Sequence, residues 1–172
     1  MSFTRMDKNV VFLDFYKDQY KERLSNYRLT NEQIIYSGLP MESINECKQD
    51  PERHPVVILY DHRPVGFLVL HGWSGVRQYS QNQNALLLRA FSVNGDFQGK
   101  GIATKSLQLL DTFIKKHFPK TEEVILAVNH KNNMAQHIYK KVGYVDKGMR
   151  AMGKYGEMLI LSKALDETVA KI

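Results

Sequence analysis

Hydrophobic positions change their period along the chain, and this change separates predicted helices from predicted strands. Apolar residues three or four apart predict helices, whereas short β-branched or alternating apolar runs predict strands. Helices are expected at 18–27, 31–36, 41–48, 101–117 and 132–142. Strands are expected at 10–15, 56–60, 65–73, 85–93, 123–128, 144–152 and 157–161. The polar segment 74–84 is expected to form a loop.

The order of these elements predicts the fold class. The long helix at 101–117 joins the strands at 85–93 and 123–128, which must therefore be parallel with a right-handed crossover. The short turns at 61–64 and 153–156 instead predict antiparallel hairpins. We expect an α/β fold of the α+β type, with a mixed, mostly antiparallel sheet and helices on both faces. A length of 172 residues suits a single domain spanning residues 1–172.

Composition indicates a packed protein with an anionic partner. Hydrophobic residues make up 43% of the chain, which is ordinary for a globular domain, and the formal net charge is +6. A basic protein attracts anions, so nucleic acid, anionic lipid and a phosphorylated cofactor all qualify. The basic residues alternate with acidic ones, and no block of like charge resembles a nucleic-acid tail.

Other features of the sequence narrow the expected cellular location and the kinds of site that the protein can contain. Cys47 is the single cysteine, so no intrachain disulfide is expected. Residues 1–9 lack the pattern of a signal peptide, and the apolar runs are far shorter than the roughly 20 residues that a membrane helix needs. A cytoplasmic protein without a membrane partner is therefore expected. The six histidines show no metal-binding spacing, so no metal is expected either.

The segment from Val93 to Thr104 carries the clearest chemical signal. It joins a strand to the start of a helix, and Gly99 and Gly101 allow its backbone to turn tightly and approach a ligand. Free amides at a helix N-terminus form an anion site, to which Lys100 and Lys105 add charge. A phosphate or pyrophosphate is the ligand that such a site fits best. The glycine spacing fits neither a P-loop nor a dinucleotide fingerprint.

Two motifs in this half of the chain resemble one family. The run Gln98-Gly99-Lys100-Gly101-Ile102-Ala103 fits the pattern Gln/Arg-x-x-Gly-x-Gly/Ala of GNAT acetyltransferases. A second block of that family is matched by Asn132-x-x-Ala135-x-x-x-Tyr139-x-x-x-Gly143-Tyr144. The chain is therefore similar to GNAT N-acetyltransferases, roughly from residue 56 to residue 161 in element order.

The resemblance implies acetyl-CoA as cosubstrate, bound where the two parallel strands splay apart. Its expected contacts are Phe91, Ser92 and Val93 on the strand, Gln98, Gly99, Lys100, Gly101, Ile102, Ala103 and Thr104 in the loop, and Asn129 and Asn132 after the next strand. Tyr139 is expected near the thioester sulfur. A phenol with a pKa of about 10 could protonate the departing thiolate, which resembles a cysteine thiol.

The expected activity is acetyl transfer to a primary amine by direct attack in a ternary complex. Many family members place a carboxylate on the strand before the loop, but residues 88–92 contain none. Three candidates for the general base therefore stay open: a water relay, His71 and a glutamate from the N-terminal helices. A GNAT-fold protein that binds acyl-CoA without catalysis is one alternative. A basic nucleic-acid-binding module is another, although no nucleic acid partner is expected.

The acceptor is expected to be a small amine. Glu42 and Glu46 lie one helical turn apart, and Asp50 and Glu52 follow them, so the segment predicts a local acidic patch. Such a patch would attract a cation, which favours a polyamine-like acceptor over a neutral or acidic one. An ordinary solvated helix face is the competing interpretation of these carboxylates. A homodimer is left open.

Overall fold

The computed structural model describes residues 10–166; residues 1–9, where no signal-peptide pattern was found, lie outside the described residues. Its seven strands are β1 Val11–Phe15, β2 Arg53–Tyr60, β3 Arg63–His71, β4 Ala85–Val93, β5 Glu123–Asn129, β6 Val145–Gly153 and β7 Gly156–Ala164. Its α-helices are α1 Lys21–Ser25, α2 Asn31–Ser37, α3 Pro40–Gln49, α4 Trp73–Val76, α5 Ile102–His117 and α6 Asn133–Lys141. No helix between residues 10 and 166 has the length and apolarity needed to cross a membrane.

All seven strands belong to one sheet, in the order β1-β2-β3-β4-β5-β7-β6. Only β4 and β5 are parallel, and the other neighbours are antiparallel. Helices cover both faces: α5 and α6 pack on one face, and α1, α3 and α4 pack on the other. The predicted fold class is thereby confirmed, including the parallel pair.

The parallel pair separates partway along its length. Pairing between β4 and β5 ends at Leu88 opposite Leu126, although β5 stays paired with β7 as far as Asn129. A bulge explains the separation, because Ala90 has a positive φ of 56° and the β3–β4 register shifts at this point. A bulge bends its strand and increases the local twist. The second half of β4 therefore leaves β5, and its freed edge opens a wedge in the sheet.

The predicted element boundaries needed two corrections near the hairpin of β2 and β3. The turn comprises only Asp61 and His62, both with positive φ, as a two-residue type I′ turn requires. The strand β3 was predicted to reach residue 73 but ends at His71, because the Gly72 amide donates to the Glu52 carbonyl and the chain then turns. Residues 73–76 form α4, so the predicted loop at 74–84 begins with a helical turn.

Candidate active site

A cavity of about 870 Å³ occupies the wedge between β4 and β5. This volume lies in the upper part of the range for small-molecule sites. Its walls come from α2, the second half of β4, the loop that precedes α5, the last residues of β5, the start of α6 and the β6–β7 turn. Elements far apart in the sequence therefore meet where the pairing between β4 and β5 ends.

The loop before α5 presents its backbone to this cavity. Gly99 and Gly101 have φ values of 79° and 77°, a left-handed conformation that residues with a side chain adopt at a cost. The amides from Gly99 to Thr104 find no acceptor among residues 10–166. A Cβ atom at either glycine would meet no atom within 4 Å, so the space beside the loop is open. An accessible row of amides at a helix N-terminus fits the pyrophosphate of acetyl-CoA.

The lysines of this loop lie to one side of the cavity. Lys100 and Lys105 border a separate recess of about 370 Å³, next to Gly101 and the end of β2. Ile102, Ala103 and Thr104 line the main cavity. Cationic side chains therefore flank the amide row without filling the space in front of it.

Gln98 is engaged by the protein itself. Its Nε2 atom donates to the Val93 carbonyl at 2.8 Å, and its Oε1 atom accepts from Gln33 Nε2 at 3.2 Å. Gln33 also completes a capping box with Thr30 at the start of α2. The first residue of the predicted motif thus ties α2 to the end of β4 and holds the loop in place.

The strand residues predicted to contact acetyl-CoA also line the cavity. The Ser92 hydroxyl is 2.9 Å from the Tyr27 hydroxyl, which fixes its orientation. The Phe91 ring lies 6.1 Å from the Tyr139 ring, centroid to centroid. Because β4 has left β5 here, its backbone groups on that edge have no strand partner and face the wedge.

Tyr139 projects from α6 into the same cavity. The residue is 9% exposed, and its ring packs edge-on against Tyr144 at 5.7 Å. Its hydroxyl makes no hydrogen bond to any residue between 10 and 166. Burial raises the pKa of Tyr139 well above its ordinary value, so the phenol is neutral at physiological pH. An unpartnered, protonated hydroxyl in a cavity is suited to donate a hydrogen bond or a proton.

Asn129 and Asn132 shape the rim of the cavity. The Asn129 amide donates to the Tyr155 carbonyl at 3.0 Å, and its Oδ1 atom accepts from the Lys131 amide. Asn132 caps α6 by accepting from the Ala135 amide. Both side chains therefore hold the turns around the opening, and both residues line it.

The predicted acceptor residues lie elsewhere. Neither Glu42 nor Glu46, both on α3, belongs to the described lining of the cavity. Glu46 instead pairs with Arg53, with 2.7 Å between Oε2 and Nη1. The structure brings Glu32 and Tyr36 of α2 into the cavity, where the Tyr36 hydroxyl donates to Glu32 at 3.2 Å. Sequence reasoning considered a glutamate from these helices without singling out Glu32.

His71, one of the bases left open by the sequence, is enclosed by other side chains. It is 2% exposed, and its Nε2 atom lies 2.8 Å from the Ser74 hydroxyl and 3.1 Å from Asp50 Oδ2. Its Nδ1 atom lies 3.2 Å from Arg89 Nη1. An arginine can only donate, so Nδ1 accepts and the imidazole is neutral with its proton on Nε2. Burial, reinforced by Arg53 and Arg89, lowers the pKa of His71.

Arg89 is a further residue of the cavity that the sequence motifs did not predict. It lies one position before the bulge of β4, on the stretch that carries no carboxylate, and it lines the cavity. The sequence shows that this stretch lacks a carboxylate, but no motif in it gives Arg89 a role. The place of Arg89 on the strand that precedes the glycine-containing loop was the feature of the sequence that could have indicated a role at the cavity.

Comparison with known proteins identifies the class that this fold and cavity define. The acetyltransferase (GNAT) family profile matches residues 14–144. A relative in Bacillus subtilis (strain 168), the uncharacterised N-acetyltransferase YbbJ, is 43% identical over 152 residues, which cover 88% of this chain and 95% of that protein. The chain therefore belongs to the GNAT acetyltransferase family.

Solved structures agree on the fold at low sequence identity. The AAC(6')-Ib structure in complex with paromomycin and acetyl-CoA has a TM-score of 0.71 and 15% identity, covering 91% of this chain and 94% of that one. The spermidine N-acetyltransferase of Vibrio cholerae, in complex with CoA and spermine, has a TM-score of 0.67 and 15% identity, covering 90% and 95%. As a family member, this chain is an acetyl-CoA-dependent N-acetyltransferase.

Proposed function

We propose that the enzyme acetylates a small primary amine, which attacks acetyl-CoA directly while both are bound in the wedge between β4 and β5. The observation that carries this proposal is the convergence of the open amide row, the freed edge of β4 and the Tyr139 hydroxyl on one cavity. Holding two reactants in one site supplies much of the rate enhancement of a transfer reaction. Acetyl-CoA supplies the activated acyl group, and its thiol leaves when the amide forms.

The loop and strand hold the acyl donor in this proposal. The amides from Gly99 to Thr104 bind the pyrophosphate, with Lys100 contributing positive charge beside them. The freed edge of β4 at Phe91, Ser92 and Val93 offers backbone hydrogen bonds to the pantetheine arm and the thioester carbonyl. Asn129 and Asn132 keep the opposite rim in position.

Tyr139 donates the proton that the leaving sulfur needs. Burial keeps its hydroxyl protonated, and no described side chain competes for that proton. The amine must lose a proton before it attacks, because a protonated amine has no lone pair. Glu32 is the one carboxylate in the described lining of the cavity, and we assign the acceptance of that proton to it, directly or through a water molecule.

Mass spectrometry of the purified enzyme with acetyl-CoA and a pool of amines tests the proposal. We expect one class of primary amine to gain a single acetyl group, with initial rates that fit a sequential mechanism. Glu32→Gln is expected to lower turnover, whereas Glu22→Gln on the exposed face of α1 provides the control. Ping-pong kinetics, or acetylation unaffected by Glu32→Gln, would contradict these assignments.

The polyamine-like acceptor stays a prediction. It rested on Glu42 and Glu46, and the ion pair between Glu46 and Arg53 leaves less negative charge available to a cation there. The spermidine N-acetyltransferase of Vibrio cholerae was solved in complex with CoA and spermine, a polyamine, which keeps that class in the screen. The cytoplasmic location and the single domain also stay predictions, and the question of a homodimer stays open.

A further inference from the structure

The cavity contains a cation that forms no direct ion pair with the described residues. Arg89 lines the cavity and is partly buried, and its one hydrogen bond to a described residue goes to His71. No carboxylate between residues 10 and 166 lies within 4 Å of its guanidinium. A buried charge without an opposite charge is costly, so such groups are usually paired.

The nearby carboxylates form their close ion pairs with another residue. Arg53 is the neighbouring cation, and it takes both nearby carboxylates, Glu46 at 2.7 Å and Asp50 at 3.3 Å. Asp50 also faces the Nε2 atom of His71. The two arginines and the two carboxylates balance in number, but both carboxylates pair directly with Arg53, and Glu46 acts on Arg89 only at longer range.

The contact with His71 holds Arg89 in a defined position. The neutral imidazole accepts from Arg89 through Nδ1, while Asp50 and Ser74 hold its other nitrogen. Gly75 lies against the same ring, so close that a Cβ atom there would collide with it. One Nη1 hydrogen bond to His71 leaves the other donors of the guanidinium free for a ligand.

From this we infer that Arg89 binds a carboxylate of the acceptor, so that the substrate is an amine that also carries a carboxylate, such as an amino acid. The inference rests on the proposed function and names its substrate class. A guanidinium matches a carboxylate with two parallel hydrogen bonds, which fixes both the position and the orientation of the substrate. Glu32, in the same cavity, supplies the opposite charge for the amine.

The substrate class differs from the polyamine expectation, and a matched panel separates the two. The panel pairs each standard amino acid with its carboxamide and each ω-amino acid with the diamine of equal length. In the first kind of pair the amine is retained and the negative charge is removed, whereas in the second kind a second amine replaces the carboxylate. We expect the enzyme to prefer the carboxylate member by at least about tenfold in kcat/KM, as a charged hydrogen-bonded pair allows.

Substitutions at Arg89 test whether this residue causes the preference for a carboxylate. Arg89→Gln is expected to raise KM for carboxylate acceptors by about 10- to 100-fold, with little change in kcat or in the KM of the amides. Arg89→Lys retains the charge and should keep part of the preference. Arg77→Gln removes a charge from an exposed site outside the described cavity lining and is the control. Calorimetry should show that all three variants bind acetyl-CoA as the wild type does.

Three results would overturn the inference. The first is equal kcat/KM for both members of each pair, and the second is an equal loss of kcat/KM for both members in Arg89→Gln. The third is weakened acetyl-CoA binding in that variant. If no panel member is acetylated, calorimetry measures the binding of the same pairs to the CoA-saturated enzyme. A carboxylate member that does not bind, or that binds only as tightly as its partner in the pair, also overturns the inference. Failure of the proposed function is distinct, because the wild type would then not bind acetyl-CoA or would acetylate no amine in the wider pool.

Discussion

Substituting Gly101 tests whether the loop before α5 binds a phosphate. Its φ of 77° is unfavourable for most residues but is tolerated by asparagine and aspartate, and the space beside its Cα atom is open. Gly101→Asn and Gly101→Asp should therefore both fold, each losing roughly 1 kcal/mol of unfolding free energy. For a chain of this size, that corresponds to a fall in Tm of about 2–4 °C.

Charge is the one property that distinguishes these two variants. A carboxylate about 5 Å from one phosphate charge costs about 3 kcal/mol at an effective dielectric constant of about 20. Gly101 is exposed, so solvent screening reduces this cost, and we expect the Asp variant to bind acetyl-CoA at least about tenfold more weakly than the Asn variant. The gap should narrow as salt is added, because ions screen exposed charges.

Isothermal titration with acetyl-CoA at low and high salt measures both effects. Circular dichroism and thermal melts establish that the two variants are folded to the same extent. Equal affinity of the Asp and Asn variants at low salt would refute the assignment of this loop to the pyrophosphate. A gap that does not change with salt would mean that shape, and not charge, weakens binding.

Three further changes probe the remaining parts of the site. Tyr139→Phe removes the proposed proton donor but keeps the ring, so turnover should fall about 100-fold with unchanged affinity for acetyl-CoA. Gly75→Ala pushes a methyl group into His71, so it should cost about 1–3 kcal/mol of stability and raise KM for the acceptor. The pKa of His71 is lowered by burial, so the unfolded chain takes up its proton first. The unfolding free energy should therefore fall below about pH 6.5, by at most about 1.4 kcal/mol per pH unit, until His71 in the folded protein is itself protonated.

Each of these changes has its own control. Tyr16→Phe, outside the described cavity lining, should keep full turnover, and an unchanged single-turnover rate in Tyr139→Phe would show that the hydroxyl is not used. Wild-type stability and acceptor KM in Gly75→Ala would contradict the packing described for His71. His71→Asn should flatten the fall in stability on acidification, whereas His137→Asn on the exposed face of α6 should not; equal slopes in both would contradict the burial argument.

Local sequence patterns were sufficient to predict most of the architecture. The periods of apolar residues located the seven strands, and the long helix at residues 102–117 required β4 and β5 to be parallel. Hydrophobic burial and the geometry of connections act over short stretches of sequence, so these features can be inferred without coordinates. The same holds for the loop around Gly99 and Gly101, because left-handed turns and helix N-termini have local sequence signatures.

Which side chains share the cavity was decided only by the tertiary structure. The bulge at Ala90 splits the sheet, and this split places Glu32 from α2, Arg89 from β4 and Tyr139 from α6 around one space. Their separations in sequence range from 50 to more than 100 residues, so no periodic signal connects them. The pairing of Glu46 with Arg53 likewise depends on how α3 packs beside β2. Sequence patterns therefore determined the fold and the glycine-containing loop before α5, while long-range packing determined which charged side chains line the cavity.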